Sequence, residues 1–417
     1  MTDVWPITGL KKFFIDERDV CGLYGGVLFQ GLYNGIWLVA LPFVTKRLGG
    51  SDFEVGLCVG LGFGGYMAAL VASLLGWINL ERFNVKRVVQ CGTGVITMVP
   101  VLGYLTLTAT ERGYLGESAI LILIGLATIQ GLAAVMFWPR VMNWLSIGYE
   151  GRELNRRLGL FNVFWSFSIM VGPYIGGYLV EVNSRLPIIV GIVFSTLSFA
   201  GVSFAGKTDK RGMVNANNGE VKSIESTELL RRRRFMWMSR IGLLISFICI
   251  GLVRAPLALL FKDNLGFSES NYGAAIMIMS AAVFVVFFAA ARTHWWHYVM
   301  WIFLGTEGML LLSMLLILNG ESLWVFFAAA GLAGGGQAFL YASHLYYGIS
   351  GAKNRQRRTL IHETTLCLGM VIGSVAGGYL SGNVGPYAPY WFGFFVVAGG
   401  LGTQLAIWKL NRPTALG

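Results

Sequence analysis

The stretch from Arg156 to Leu179 reads RRLGLFNVFWSFSIMVGPYIGGYL, which is two arginines, an apolar run and a glycine-rich end. The same order of features returns from Arg357 to Leu380, as RRTLIHETTLCLGMVIGSVAGGYL. One common offset places Arg156 on Arg357, Gly172 on Gly373, Gly176 on Gly377, and Gly177 on Gly378. Because this offset aligns a whole apolar segment together with its basic flank, it indicates an internal duplication. The chain is therefore predicted to consist of two related halves.

Composition predicts that these halves lie in a membrane. Of the 417 residues, 55% are hydrophobic and 13% are charged, and the mean hydropathy is +0.64, whereas soluble domains carry roughly 25% charged residues. A helix crosses the hydrocarbon core, about 30 Å thick, with roughly 20 apolar residues. The apolar runs here are long and continuous, unlike the alternating segments of about ten residues in membrane barrels. We therefore predict an all-α membrane protein. Charged residues interrupt the first eighteen residues before any apolar run develops, and no small-residue cleavage site follows, so no signal peptide is expected.

Twelve membrane spans are expected, and their ends are placed only approximately. They lie at about 20–45, 53–78, 87–108, 118–146, 158–182, 187–206, 237–261, 271–291, 296–318, 322–350, 359–382 and 387–409. Numbered in this order, spans 1–6 form an N-terminal bundle within residues 1–206, and spans 7–12 form a C-terminal bundle within 237–417. The polar segment 207–236 joins the bundles as a linker. Its basic end is expected to be a solvated loop, with an amphipathic surface helix as the alternative.

The basic residues predict the orientation of the spans. Twenty-five of the 32 Lys and Arg residues fall on one side and five on the other, so the first side is predicted to be cytoplasmic. Both termini then lie inside, in a multi-pass protein of the plasma or inner membrane. The net charge of +11 is explained by this asymmetry, and nucleic-acid binding is not needed to explain it. The five cysteines have no pairing or ligand spacing and are expected to be small apolar residues, without a disulfide or a metal site.

Two six-span halves joined by a central cytoplasmic segment resemble the major facilitator superfamily of secondary transporters. The loop after span 2 resembles that family's G-x-x-x-D-R-x-G-R-R motif, with Gly76, Glu81, Arg82, Lys86 and Arg87. It departs from the motif in having Glu for Asp, Asn84 for glycine and one inserted residue. Span 5 resembles the family's antiporter motif through Gly159, Gly172, Pro173, Gly176 and Gly177, with Ser168 at the position of the middle glycine.

The resemblance implies a position in the bundle for each span. Spans 1, 4, 7 and 10 would line a central cavity, spans 2, 5, 8 and 11 its sides, and spans 3, 6, 9 and 12 the periphery. Conformational gating would fall to Glu81 and Arg82 in the loop and to Gly172, Pro173, Gly176 and Gly177 in span 5. Small residues let helices approach closely in lipid, so the glycines could equally form a static helix seam. Glu81 and Arg82 are expected to hold the cytoplasmic face closed near the start of span 11, or else only to fix topology.

Polar residues on the cavity-lining spans are candidates for substrate binding. A charge inside the membrane costs about 2.5–3.5 kcal/mol on insertion scales, so a charged residue there is expected to have a role. The candidates are Gln30 and Asn34 in span 1, Trp138 and Arg140 in span 4, Arg254 in span 7, and Gln337, Tyr341 and His344 in span 10. The two arginines favour an anionic solute, because guanidinium binds carboxylate or phosphate with two hydrogen bonds. The amides could instead bond between helices, and Arg140 could instead reach toward the membrane surface.

Proton coupling has its candidates in span 11, at His362 and Glu363. A buried Glu can take up a proton near neutral pH, and His titrates there in any case. Alternatively, Glu363 is structural and pairs with Arg82 or Arg358. Glu307, in the middle of span 9, has no assigned role.

The sequence has no nucleotide-binding loop, no zinc spacing and no Ser–His–Asp candidate on a loop, so neither an enzyme nor a cofactor is expected. The favoured function is a secondary transporter that moves a small organic solute, with an anion as the candidate, by alternating access between two halves. The motif in span 5 favours export in exchange for protons, while import by symport and uniport remain open. A non-transporting scaffold or sensor of the same fold is the alternative. Membrane lipid surrounds the protein in every case.

Overall fold

The structure is a computed structural model that describes residues 18–147, 149, 151–206, 226–293, 295–349 and 354–410. Residues 207–225 of the predicted linker and residues 1–17 lie outside the described residues. Within the described residues, twelve helical segments are long and apolar enough to cross a membrane. The predicted all-α, twelve-span fold is confirmed.

The helix bounds follow the predicted spans closely. The N-terminal spans are Arg18–Arg47, Asp52–Leu74, Val85–Glu111, then Ser118–Ala134 with Trp138–Ser146, Gly151–Val182 and Leu186–Phe204. The C-terminal spans are Ser226–Arg254 continued by Pro256–Leu259 and a π-helical turn at Leu260–Asn264, then Glu269–Arg292, Met300–Asn319, Leu323–Ile349, Arg355–Asn383 and Ala388–Leu410. A short 3₁₀ helix, Leu80–Arg82, lies between spans 2 and 3.

Two differences from the prediction have physical reasons. Span 7 begins at Ser226, because the segment expected to be a solvated loop continues the helix, and the expectation of a loop was wrong from Ser226 onward. Spans 4 and 7 are each interrupted, at 135–137 and at Ala255. Pro139 and Pro256 follow these breaks and sit in the first turn of the next helix, the position where a missing N–H costs nothing.

Matching turns follow spans 1 and 7, one in each half. Gly49 and Gly266 adopt positive φ angles of 86° and 66°, a conformation that glycine enters without penalty. Ser51 then caps span 2 in a reciprocal box with Glu54, and the Ser268 hydroxyl accepts a hydrogen bond of 3.2 Å from the Asn271 N–H at the start of span 8. The side of the membrane that holds these turns is called the outer side below, in keeping with the predicted orientation, and the opposite side is called the inner side.

The outer portions of the two halves pack tightly against each other. A Cβ atom added at Gly378 in span 11 would lie 2.5 Å from the Asp52 carbonyl oxygen of span 2, and one added at Gly273 in span 8 would lie 2.6 Å from the Pro173 carbonyl oxygen of span 5. Only glycine allows helix backbones to come this close. The seams between spans 2 and 11 and between spans 5 and 8 are therefore closed at the outer side.

Candidate functional site

Spans 1 and 7 are the most enclosed helices of their halves. In their apolar windows, 78% and 89% of residues are buried, so nearly all of their surface faces protein. Asn34 and Arg254 are partly exposed although they lie deep within these two helices. Because 89% of the apolar window of span 7 is buried by protein, we infer that the exposed part of Arg254 faces the interior of the molecule and not the lipid.

A cluster of amides lies midway through the N-terminal half. The Asn34 side-chain oxygen accepts hydrogen bonds from Gln30 in the same span, at 3.4 Å, and from Gln130 in span 4, at 3.3 Å. Tyr33 donates to the Gln130 oxygen at 2.9 Å. The Gln30 oxygen is buried and has no hydrogen-bond partner. Gln30 and Asn34 were predicted from the sequence, but Gln130 was not, because it lacks a charge and stands alone in an otherwise apolar stretch of span 4.

The two predicted arginines occupy different places. Arg140 lies in the inner segment of span 4, close enough to Glu81 to interact with it electrostatically. The Arg140 Nε atom is buried without a hydrogen-bond partner. Trp138, two residues earlier, packs edge-on against Phe137 at 4.9 Å between ring centroids. Arg140 thus lies near Glu81 at the inner side, and none of the hydrogen bonds of the amide cluster involves it.

Arg254 lies at the break in span 7, at the end of its longer helix. Its carbonyl oxygen accepts a hydrogen bond of 2.8 Å from the Tyr272 hydroxyl of span 8, which fixes the backbone at the break. Its guanidinium has neither an ion pair nor a hydrogen bond with any described residue. An unpaired cation that borders an interior space is suited to bind an anionic group.

The inner parts of spans 10 and 11 meet through a pair of histidines. His344 and His362 share a hydrogen bond of 2.6 Å between their Nδ1 atoms, and both rings are buried. One ring must donate and the other must accept, so the pair holds complementary tautomers. Tyr341 packs edge-on against His362 at 4.4 Å between ring centroids. The rings of this cluster join spans 10 and 11 within the C-terminal half.

Glu363 lies beside this pair but is not bonded to it. Glu363 as a whole is partly exposed, and its carboxyl group forms no hydrogen bond or ion pair with the described residues. It lies close enough to Tyr66 of span 2 and to Tyr341 to interact with them electrostatically, which places it at the seam between the halves. Arg358 instead contacts the Met236 sulfur at 3.6 Å. Gln337, one helical turn from Tyr341, is also partly exposed.

The span 5 glycines divide their contacts between the two halves. A Cβ at Gly172 would lie 3.0 Å from the Leu32 carbonyl oxygen, and one at Gly176 would lie 2.8 Å from the Ile36 Cα, both in span 1. Gly177 faces span 8, where its Cβ would lie 3.1 Å from the Gly273 Cα. Two glycines thus pack within the N-terminal half, and the third packs across the seam.

The repeated glycines in span 11 have the equivalent contacts. Gly373 and Gly377 face span 7, with added Cβ atoms 3.0 Å from the Gly251 Cα and 2.6 Å from the Pro256 Cγ. Gly378 faces span 2, where its Cβ would lie 2.9 Å from the Gly56 Cα. The glycines that the duplication aligns in spans 5 and 11 therefore make equivalent packing contacts in the two halves.

Polar contacts between the halves lie at both ends of the molecule. On the inner side, Gln356 at the start of span 11 donates a hydrogen bond of 2.5 Å to Glu81, while Arg82 is exposed. On the outer side, Lys46 lies 2.8 Å from Asp52 and 3.9 Å from Asp263 of the other half. The contacts Gln356–Glu81 and Lys46–Asp263 thus join the two halves, one at each side of the molecule.

Together, these features define a helical, multi-pass membrane protein built from two pseudo-symmetric six-span halves. Residues 23–347 match the family described as Major Facilitator Superfamily, and the chain belongs to that family. Solved structures support the same fold. A bacterial homologue of the iron transporter ferroportin in its inward-facing state has a TM-score of 0.70 and 13% identity, covering 95% of this chain and 99% of that one. The nucleoside transporter NupG has a TM-score of 0.68 and 10% identity, covering 95% and 100%.

Two curated relatives match over part of their length. Multidrug resistance protein 1 of Bacillus subtilis (strain 168) is 23% identical over 258 residues, which are 62% of this chain and 61% of that protein. The proton-coupled antiporter flippase LtaA of Staphylococcus haemolyticus (strain JCSC1435) is 25% identical over 165 residues, 39% of each chain.

Proposed function

We propose that this protein is a secondary transporter that moves a small organic anion across the membrane by alternating access between its two halves. The observation that carries the proposal is the unpaired Arg254, which borders an interior space from within a helix enclosed by protein. A cation within the membrane interior that lacks a partner is costly to keep, and an anionic solute would supply the missing partner. The amide cluster of Gln30, Asn34 and Gln130 would bind the polar part of the solute from the opposite half.

The solute is proposed to have an apolar part as well. Between Arg240 and Arg254 of span 7, the partly exposed positions are Ile241 and Leu244, so the accessible positions that separate these two charges are apolar. A solute with one anionic group on an apolar body fits such a surface. The multidrug and flippase relatives make amphipathic substrates a reasonable class to test first.

Export in exchange for protons is the proposed direction, with Glu363 as the residue that exchanges the proton. Glu363 is unpaired, partly exposed and close to the seam between spans 2 and 11. These are the properties of a carboxyl group that both sides of the membrane can reach in turn. His362 and His344 bond to each other, so we assign them to holding spans 10 and 11 beside Glu363. Both termini are proposed to be cytoplasmic.

The test is transport in proteoliposomes, with and without an imposed pH gradient. A panel of amphipathic organic anions would be compared with neutral and cationic analogues of the same size. Arg254→Ala should weaken apparent affinity for the anion by on the order of 10–100-fold, since hydrogen bonds to charged groups contribute about 1.5–3 kcal/mol. It should leave affinity for the neutral analogue unchanged. Arg185→Ala, which removes an arginine paired with Glu111 at the outer end, is the matched control.

Glu363→Gln separates proton coupling from solute binding. We expect this variant to retain exchange of labelled for unlabelled solute and to lose uptake driven by a pH gradient. Equal gradient-driven uptake in the variant and the wild type would make Glu363 structural and favour a uniporter. Absence of transport for every anion and analogue would favour the scaffold or sensor alternative.

A further inference from the structure

Glu307 and Gln404 form a polar contact in the middle of the C-terminal half, away from the residues assigned to transport. Glu307 lies in span 9 and Gln404 in span 12, and both side chains are fully buried. The Gln404 Nε2 atom donates one hydrogen bond to the Glu307 Oε1 atom and a second, of 3.2 Å, to the Met238 carbonyl oxygen of span 7. Two side chains thus join three spans.

The orientation of the Gln404 amide is fixed by its surroundings. Its nitrogen has two acceptors beside it, the Glu307 carboxyl oxygen and the Met238 carbonyl oxygen, so both of its N–H groups are used. If the amide were turned over, its oxygen would face two acceptors. The Gln404 oxygen must therefore point away from them.

Two buried oxygens of this contact lack a partner. Neither the Glu307 Oε2 atom nor the Gln404 Oε1 atom has a hydrogen bond. An ionised carboxylate has acceptors only, so it can satisfy neither atom, whereas a protonated carboxyl group has one O–H donor. A single proton on Glu307 Oε2 would give Gln404 Oε1 its donor and use the last unpaired oxygen of the acid. The two groups would then form a closed acid–amide pair with two hydrogen bonds.

The surroundings of Glu307 also favour the neutral acid. Glu307 has no ion pair with any described residue. Glycines lie next to both of its oxygens: a Cβ atom added at Gly242 would be 3.5 Å from Oε1, and one added at Gly400 would be 4.0 Å from Oε2. The titratable group facing it from span 7 is the thiol of Cys249, and from span 12 it meets the uncharged Gln404. A carboxylate without a cation in an apolar interior takes up a proton instead of remaining charged.

We propose that Glu307 carries a resident proton and pairs with Gln404 as a neutral acid–amide dimer that fastens spans 9 and 12 to span 7. The dimer lies within one half, away from the seams between spans 2 and 11 and between spans 5 and 8. It therefore moves as part of one rigid bundle and keeps its proton throughout a conformational cycle. This proton is distinct from the one proposed to exchange at Glu363, and its presence does not depend on the identity of the solute.

Infrared difference spectroscopy of the purified full chain tests the protonation directly. Subtracting the spectrum of Glu307→Gln from that of the wild type at neutral pH should reveal the carbonyl band of one protonated carboxylic acid. Gln404→Leu should shift that band to higher frequency, because the acid loses its amide partner. A difference spectrum that contains a carboxylate band and no protonated-acid band would overturn the proposal. So would a band that Gln404→Leu leaves unshifted.

Stability and transport measurements give an independent test. Glu307→Gln should retain the wild-type melting temperature to within a degree or two, because a neutral amide of the same shape can pair with Gln404. Glu307→Ala should lower it by several degrees, since it leaves the amide buried without its partner. Equal losses in the two variants would contradict a neutral acid.

For the transport readout, Glu307→Gln should leave gradient-driven uptake at the wild-type level, while Glu363→Gln abolishes it. Loss of coupling in Glu307→Gln would show that its proton is exchanged and not resident. If the wild type transports nothing, the proposed function fails, while the infrared result still decides the proposal for Glu307.

Discussion

Gly177→Ala should shift the conformational equilibrium away from the outer-closed state. An added Cβ would press on the Glu269 carbonyl group of span 8 and lie 3.1 Å from the Gly273 Cα, closer than ordinary van der Waals contact. Overpacking of this kind costs about 1–3 kcal/mol. The cost applies only while spans 5 and 8 touch at their outer ends, so opening removes it. Each 1.4 kcal/mol changes an equilibrium constant about tenfold. The ratio of the outer-closed to the outer-open population should therefore fall on the order of 5–150-fold.

Distance measurements between spin labels would detect this shift. Tyr114 and Val384 are exposed at the outer ends of different halves, 77% and 70% accessible, so labels at these two sites report the outer opening. Cys21 and Cys91, the accessible cysteines of the described residues, would be replaced by serine first. Double electron–electron resonance should show a longer distance gaining population in Gly177→Ala.

Two other glycines of span 5 provide matched controls. Gly159→Ala adds a methyl group where nothing lies within 4 Å, so it should reproduce the wild-type distances. Gly172→Ala crowds span 1 of its own half, 3.0 Å from the Leu32 carbonyl oxygen, so it should lower the melting temperature without favouring either state. Equal distance distributions in Gly177→Ala and Gly159→Ala would refute the argument that this seam opens.

Three further predictions follow from local contacts. Gly378→Ala, at the equivalent seam between spans 2 and 11, should give the same longer distance between the outer labels as Gly177→Ala. Gln130→Ala removes the hydrogen bonds to Tyr33 and Asn34, so thermal melting should show a loss of about 1–3 kcal/mol in stability, and equilibrium binding of the solute should weaken. Hydrogen bonds from Arg156 hold the pKa of Glu153 below its usual range. This contact therefore stabilises the protein above about pH 4.3, and the stabilisation is lost as the pH falls. Melting temperatures of Glu153→Gln should depend less on acid pH than those of the wild type.

The twelve spans and the duplication could be predicted because they depend on local patterns. Length and hydrophobicity define a span, and one offset aligns the glycines of spans 5 and 11. The interruptions of spans 4 and 7 could not be predicted in the same way. Pro139 and Pro256 follow breaks, but Pro42 and Pro100 lie inside continuous helices. A proline therefore marks a possible bend, and packing of the neighbouring spans decides whether the helix ends there.

The contacts that complete the candidate site could not be predicted, because they join residues far apart in sequence. Gln130 and Asn34 are separated by 96 positions, and Glu307 and Gln404 by 97. No periodicity within one span indicates which residue of another span it will meet. Glutamines attract little notice in a sequence because they carry no charge, yet in a membrane each needs partners for its donors and its acceptor.

The two halves are alike in packing but differ in chemistry, and this difference bears on mechanism. The register that aligns Ser51 with Ser268 places Trp37 opposite Arg254 and Gly251 opposite Asn34, and the register of spans 5 and 11 places Asn162 opposite Glu363. The packing glycines recur at equivalent positions, whereas the unpaired Arg254 and Glu363 have uncharged counterparts. Rocking needs both halves to pack alike at the seams, but binding and coupling need only one cation and one acid. We therefore expect charge recognition and proton exchange to reside in the C-terminal half, while the N-terminal half contributes neutral hydrogen bonds from its amides.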